Sequence, residues 1–154
     1  MSPVLEVTSA AQLGALAGTE VAVSPWMEIS QQRVNTFADA TSDHQWIHVD
    51  PERCARESPF GKPVAHGFLT LSLLPAMFES AIAMRNFRMV LNYGLNKVRF
   101  PAPVPVGSRV RARLVLQAVE AIDGGSQLVW DVTVEREGEA KPVCVAEFLM
   151  RCYT

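Results

Sequence analysis

Asp43 and His48 stand five residues apart in a short polar segment, and Ala65-His66-Gly67 follows shortly after. A carboxylate and an imidazole held together can divide the proton transfers of one water molecule. Gly67 opens a long apolar stretch. Free N–H groups at a helix start sit at its positive end and can stabilise an anion that develops during reaction. An acid, a base and such a backbone are what adding water to an activated carbonyl compound, or removing it, requires. His44 and His48, four apart, also have the spacing of two zinc ligands on one helical face. No third ligand is evident and no HExxH is present, so no metal is expected.

These groups need elements to hold them. Ser30 is placed as the N-cap of a helix with Val34, Phe37, Ala38 and Thr41 on one face and Ile29 and Val34 as a hydrophobic staple. That helix delivers the chain into Ser42-Asp43. Asp50-Pro51-Glu52 is a second helix start, with a capping acid and proline at the first position. From Gly67 to about Met84 the chain is apolar nearly all round, which predicts one long buried helix bent at Pro75. Earlier, Ser9 begins a short helical patch that Gly18 ends. Glu20 to Ile29 reads as a strand interrupted by Pro25, hence at an edge.

The second half changes period. Val110, Ala112, Leu114, Leu116 and Ala118 alternate with Arg109, Arg111, Arg113 and Gln117. Leu128, Trp130, Val132 and Val134 make a second apolar face, and Cys144, Ala146, Phe148, Met150 and Cys152 a third. Asp123-Gly124-Gly125 and Glu137-Gly138 sit where hairpin turns are needed, and Arg88 to Phe100 adds a strand with Gly94 as a bulge. A buried helix followed by an antiparallel meander is an α+β plan, and a sheet curled around one long helix is the hot-dog arrangement. One small sheet covers such a helix poorly, so a second subunit is expected. The arginines of Arg109-Arg111-Arg113 are expected to pair with Asp131 and Glu135 on a neighbouring strand; contact with carrier phosphates is the alternative, as for Arg85 and Arg88.

Composition narrows the class. At 154 residues, 1–154 reads as one domain able to bury a real core. A net charge of −2 implies no broad attraction to nucleic acid or to a membrane surface. The start, MSPVLEVTSA, lacks the basic and apolar regions of a signal peptide, and no stretch is long and apolar enough to span a bilayer. Cys54, Cys144 and Cys152 form no CxxC, which fits buried thiols in a reduced, cytoplasmic protein.

The residues resemble the MaoC-like family of (R)-specific enoyl-CoA hydratases, hydratase 2, in its NodN/MaoC branch. The family pattern, aromatic-x-x-[ST]-G-D-x-N-P-[LIV]-H with a later A-H-G, is met by Phe37, Thr41-Ser42-Asp43, Gln45-Trp46-Ile47-His48 and Ala65-His66-Gly67. The run Arg99-Phe100-Pro101-Ala102-Pro103-Val104-Pro105-Val106-Gly107 is similar to the family's R-F-x-x-P-V-x-x-G turn. Ser42, Gln45 and Trp46 depart from the pattern, standing for glycine, asparagine and proline. A left-handed backbone at Ser42 would cost serine about 1 kcal/mol or more.

The resemblance implies a hot-dog fold and reversible hydration of 2-enoyl-CoA to (R)-3-hydroxyacyl-CoA. It implies Asp43 and His48 as the catalytic pair and the Gly67 N–H facing the thioester oxygen. Ser42, Trp46, His66 and Arg99 are expected to bind substrate, His66 alternatively fixing the loop. No cofactor is expected, since CoA is part of the substrate, and a homodimer is expected. A hot-dog thioesterase would want a carboxylate early on the central helix, whereas the first acid there is Glu79. A non-catalytic acyl-binding subunit of a heteromeric dehydratase is the remaining alternative.

Overall fold

The computed structural model describes residues 4–154; Met1, Ser2 and Pro3, where the segment read as lacking a leader begins, lie outside the described residues. The chain runs β1 (Leu5–Val7), α1 (Ala10–Gly14), β2 (Glu20–Val23), β3 (Met27–Glu28) and α2 (Gln31–Thr41). It continues through α3 (Trp46–Val49), α4 (Pro51–Glu57), α5 (Gly67–Ser72), α6 (Leu74–Ala81) and β4 (Ile82–Met84). Four long strands close it: β5 (Met89–Arg99), β6 (Arg109–Ile122), β7 (Gly125–Arg136) and β8 (Cys144–Tyr153).

The sheet is antiparallel in the order β2-β6-β7-β8-β5, with β3 beside β2 on the same strand β6. Pro25 lies between β2 and β3, where neither needs its missing N–H. The alternating apolar residues form one inner face: Leu114, Leu116, Leu128, Trp130, Val134 and Cys144 are almost fully buried. Against it lie Leu69, Leu74, Met77, Phe78 and Ala81 of α5 and α6. Phe78 meets Trp130 edge-on, with centroids 5.0 Å apart. Each such side chain removed from water is worth about 1.5–3 kcal/mol. This is the α+β hot-dog plan.

Three sequence expectations are corrected. The central helix is not continuous from Gly67 to Met84. It breaks at Leu73, just before Pro75, and ends at Ala81, where Ile82–Met84 becomes a strand parallel to β1. Proline cannot donate to the preceding turn, so the break falls there. Nor is the helix buried all round: Phe68 is 72% exposed, and Pro75, Ala76 and Glu79 face outward. In β6, a bulge between Leu116 and Ala118 reverses the alternation, so that Val119 rather than Ala118 opposes buried Leu128.

Other expectations hold in part. Ser9, Ser30 and Asp50 each accept a first-turn N–H as N-caps, although α1 stops at Gly14, before Gly18. Glu135 binds both Arg111 and Arg113, Arg113 reaches Glu20 as well, and Arg109 pairs with Glu137. Asp131 is not among their partners. The three cysteines are free and buried, and burial pushes the Cys144 thiol up to about 11. Among the described residues no helix is long and apolar enough to cross a membrane.

Strand β5 is the exception to good packing. Its inner-face residues Val90 and Leu95 lie beside well-covered Cys152 and Phe148 of β8, yet both are exposed. The helical layer therefore covers this edge strand incompletely: Val98 packs on the core, while Val90 and Leu95 stay exposed.

Candidate active site

Each group of the site is held by its own local device. Helix α2 ends at Ser42, whose left-handed backbone (φ 60°, ψ 26°) turns the chain sharply. The Asp43 N–H then donates back to the Ala38 carbonyl at 3.1 Å. Asp43 thus leaves the helix end with its side chain 53% exposed. His48 lies on the short helix α3, which has no side-chain cap to mark its start. Its carbonyl accepts from Gln31 Nε2 at 2.8 Å.

Residue Val64 clamps this helix twice. Its N–H donates to the Ile47 carbonyl at 3.0 Å, and its carbonyl accepts from His48 Nδ1 at 2.6 Å. A carbonyl only accepts, so Nδ1 carries the hydrogen and Nε2 presents the lone pair of neutral His48. Burial holds His48 below the ordinary histidine value, and His66 adds to the lowering; the Val64 carbonyl and the Asp43 carboxylate oppose it.

The helix start at Gly67 is delivered by pairing. Pro63 to Ala65 lies antiparallel to Val104 to Val106, with Ala65 N–H on the Val104 carbonyl at 2.8 Å and Val106 N–H on the Pro63 carbonyl at 2.9 Å. The Leu69 and Thr70 N–H groups both use the His66 carbonyl. The Gly67 N–H has no partner among the described residues.

The structure brings Asp43, His48 and His66 together: one ligand-type atom from each lies within 4.8 Å of the others. His66 Nε2 donates to the Asp43 carbonyl at 3.0 Å and lies 3.9 Å from its carboxylate. Its ring stacks on His48 with centroids 3.8 Å apart and planes 21° apart. A water about 2.8 Å from each of two groups spans up to 4.8 Å at an ordinary angle. His66 is the third metal-type donor that sequence reasoning did not find, because it lies far along the chain from His48. Imidazole lone pairs lie in the ring plane, however, and near-parallel stacked rings do not converge on one ion. His44 points elsewhere and pairs with exposed Asp39 at 2.8 Å.

Next to His48 opens a cleft of about 350 Å³, lined by Ile47, His48, Phe60, Gly67, Phe100 and Val143 among others. Its wall is mostly apolar, as suits an acyl chain. Phe60 and Phe100 were not singled out from the sequence, although both lie in segments it marked, the Pro59–Pro63 loop and the Arg99-Phe100 turn.

Of the expected contacts, His66 stands in the group with Asp43 and His48 and does not line the cleft, Gly67 lines the cleft, and exposed Ser42 is outside its lining. Trp46 does not line the cleft; it packs under the Arg53 guanidinium, 4.2 Å from its centroid. Arg99 is not brought in either. Successive strand residues face opposite ways, so Phe100 meets Gly67 while Arg99 lies with Lys97, Asp131 and Glu147 on the outer face.

A family model described as a MaoC like domain matches residues 12–138. The chain is 56% identical over 144 residues to a 3-hydroxyacyl-thioester dehydratase Z of Mycobacterium tuberculosis, covering 93% of this chain and 95% of that protein. It is 50% identical over 144 residues to nodulation protein N of Rhizobium leguminosarum bv. viciae, covering 92% and 89%. Among solved structures, the unliganded R-hydratase of Pseudomonas aeruginosa matches with a TM-score of 0.70 at 19% identity, covering 87% of this chain and 81% of that one.

Proposed function

Because this chain belongs to the MaoC-like domain family of dehydratases, we propose that it reversibly hydrates trans-2-enoyl-CoA to (R)-3-hydroxyacyl-CoA. The observation that carries the reading is the Asp43 carboxylate and His48 imidazole within one water's reach, beside a helix start whose Gly67 N–H has no partner among the described residues. The name of the Mycobacterium tuberculosis relative, a 3-hydroxyacyl-thioester dehydratase, supports the reaction class.

In the hydration direction Asp43 and His48 hold one water. His48 Nε2 accepts a proton as the water oxygen bonds to Cβ, while Asp43 accepts a hydrogen bond from the remaining O–H. Electron density moves onto the thioester oxygen, where the Gly67 N–H meets it. The proton held by His48 then passes to Cα, the enolate collapses, and the pair returns to its starting state. Dehydration is the reverse. No metal or organic cofactor enters these steps.

A homodimer belongs to the same reading. Strand β5 is an open edge that carries exposed Met89, Val90, Leu91, Tyr93 and Leu95, and a long apolar edge invites pairing with another strand. A second copy pairing through β5 would also cover the inner-face residues that the helical layer leaves bare.

The test follows loss of the conjugated enoyl absorbance with crotonyl-CoA and longer chains, with chiral analysis of the product. Turnover to the (R)-alcohol, abolished by Asp43→Asn and His48→Gln, is expected. Free thiol release instead identifies a thioesterase, and binding without turnover identifies a non-catalytic subunit; either result rejects the reading.

A further inference from the structure

We propose that His66 is the positioning residue of this site: one hydrogen bond and one ring stack from it fix the separation of the acid and the base. The proposal rests on the hydratase reading and assigns the part that neither Asp43 nor His48 performs.

The acid and the base come from different elements. Asp43 belongs to the exposed turn after α2, and among the described residues only the Gln45 N–H, at 3.4 Å, is hydrogen-bonded to its carboxylate. His48 belongs to α3, clamped by Val64. Between them lies the ring of His66, 3% exposed, at the start of α5. Its Nε2–H donates to the Asp43 carbonyl, which ties the turn to the helix start. One face of the ring backs His48 at 3.8 Å, and Phe37 of α2 packs against it at 4.9 Å. His66 therefore touches all three parts of the site and the helix that ends beside it.

The ring's tautomer follows from its partners. The Asp43 carbonyl accepts, so Nε2 carries the hydrogen and Nδ1 the lone pair. Nδ1 is buried and has no hydrogen-bond partner among the described residues. Buried polar atoms usually find a partner, so phenylalanine would satisfy packing here better than histidine does. The Nε2–H bond to Asp43 is what the imidazole adds. It holds a loop residue in a pair whose spacing must suit one water, where a displacement of about 1 Å can cost a hundredfold in rate.

Two variants separate positioning from packing. His66→Phe keeps the ring stack and loses the donor; His66→Gln keeps a donor amide near the Nε2 position. With crotonyl-CoA, His66→Phe is expected to lower kcat at least about thirtyfold with KM changed by less than about threefold. His66→Gln is expected to recover a substantial part of that loss, and both variants to melt near the wild type. In the wild type, the ¹⁵N shifts of His66 are expected to report the Nε2–H tautomer. The proposal is overturned if His66→Phe retains the wild-type kcat, if Gln restores nothing that Phe loses, or if His66 carries its hydrogen on Nδ1. An inactive wild type overturns the hydratase reading and this one with it. An active wild type with an equally active His66→Phe overturns this one alone.

Discussion

Phe100 lies against Gly67 so closely that a Cβ added at residue 67 would sit 3.0 Å from Phe100 Cδ2 and 3.1 Å from Cε2. The ring covers the helix start while forming part of the cleft wall. Glycine at 67 therefore serves close approach, and its φ is not in the left-handed region that only glycine favours.

Gly67→Ala should push the Phe100 ring into the cleft. We expect kcat/KM to fall by about tenfold or more through misplacement of the substrate, with stability changed by less than about 1 kcal/mol, because alanine favours the helix. Phe100→Leu in the same chain should return much of the lost activity. Steady-state kinetics of the wild type, the single variant and the double variant decides it, and an unimpaired Gly67→Ala rules out close approach at this position.

His48 makes the protein sensitive to acid in a definite direction. Its folded pKa lies below the ordinary value of 6.5, with burial the leading cause. Above 6.5 neither the folded nor the unfolded chain binds this proton, and the contribution to stability is complete. As the pH falls from there to the lowered folded value, the unfolded chain binds it first and stability is lost. Urea midpoints measured from neutrality downward should show this slope, reduced in His48→Gln. The acid limb of kcat/KM should likewise lie below the usual histidine range, and a limb above it refutes His48 as the neutral base.

Ser42 holds the left-handed turn that launches Asp43. Ser42→Gly relieves about 1 kcal/mol of backbone strain and gives some of it back through the freer unfolded chain. A change from none to about 1 kcal/mol of added stability is expected, with activity retained. Ser42→Val, branched at Cβ, should lose about 1–2 kcal/mol and some activity as Asp43 shifts. Thermal melting compares them; a harmless valine contradicts the strain.

Leu91 tests the assembly. It is exposed on the open edge strand and packs into no core, so Leu91→Lys should leave the fold intact while opposing strand pairing. Light scattering should give twice the 16.9 kDa chain mass for the wild type and a single chain for the variant. A monomeric wild type removes the dimer from the reading.

Much of this was legible in the residues. Period-two alternation located the inner faces of β6, β7 and β8, and capping residues located the starts of α1, α2 and α4. The segments that hold Asp43, His48 and Gly67 were legible; that Asp43 and His48 lie within 4.8 Å of each other, and that His48 and Gly67 line one cleft, is seen only in the fold. What was not legible depends on long-range packing. Ile82–Met84 is apolar enough to continue a helix, and only β1, waiting alongside, makes it a strand. The bulge near Gln117 has no local marker, so Val119 and Ala118 exchange faces unannounced. Arg99 and Phe100 are adjacent in a matching motif, and the direction of β5 decides which of them reaches the cleft. His66 became informative only when folding set it on His48.

The short parallel ladder of β1 on β4 joins residues half the chain apart: Leu5 pairs with Ile82. Such a contact closes a long loop and forms slowly. During synthesis β1 emerges before α6 and β4 and must wait, unpaired, until they have followed. The ladder then fastens β1 to the segment that leaves the end of α6. The last turn of α6 is thus anchored by residues made well before it, and β1 gains its partner only after the helix between them has been made.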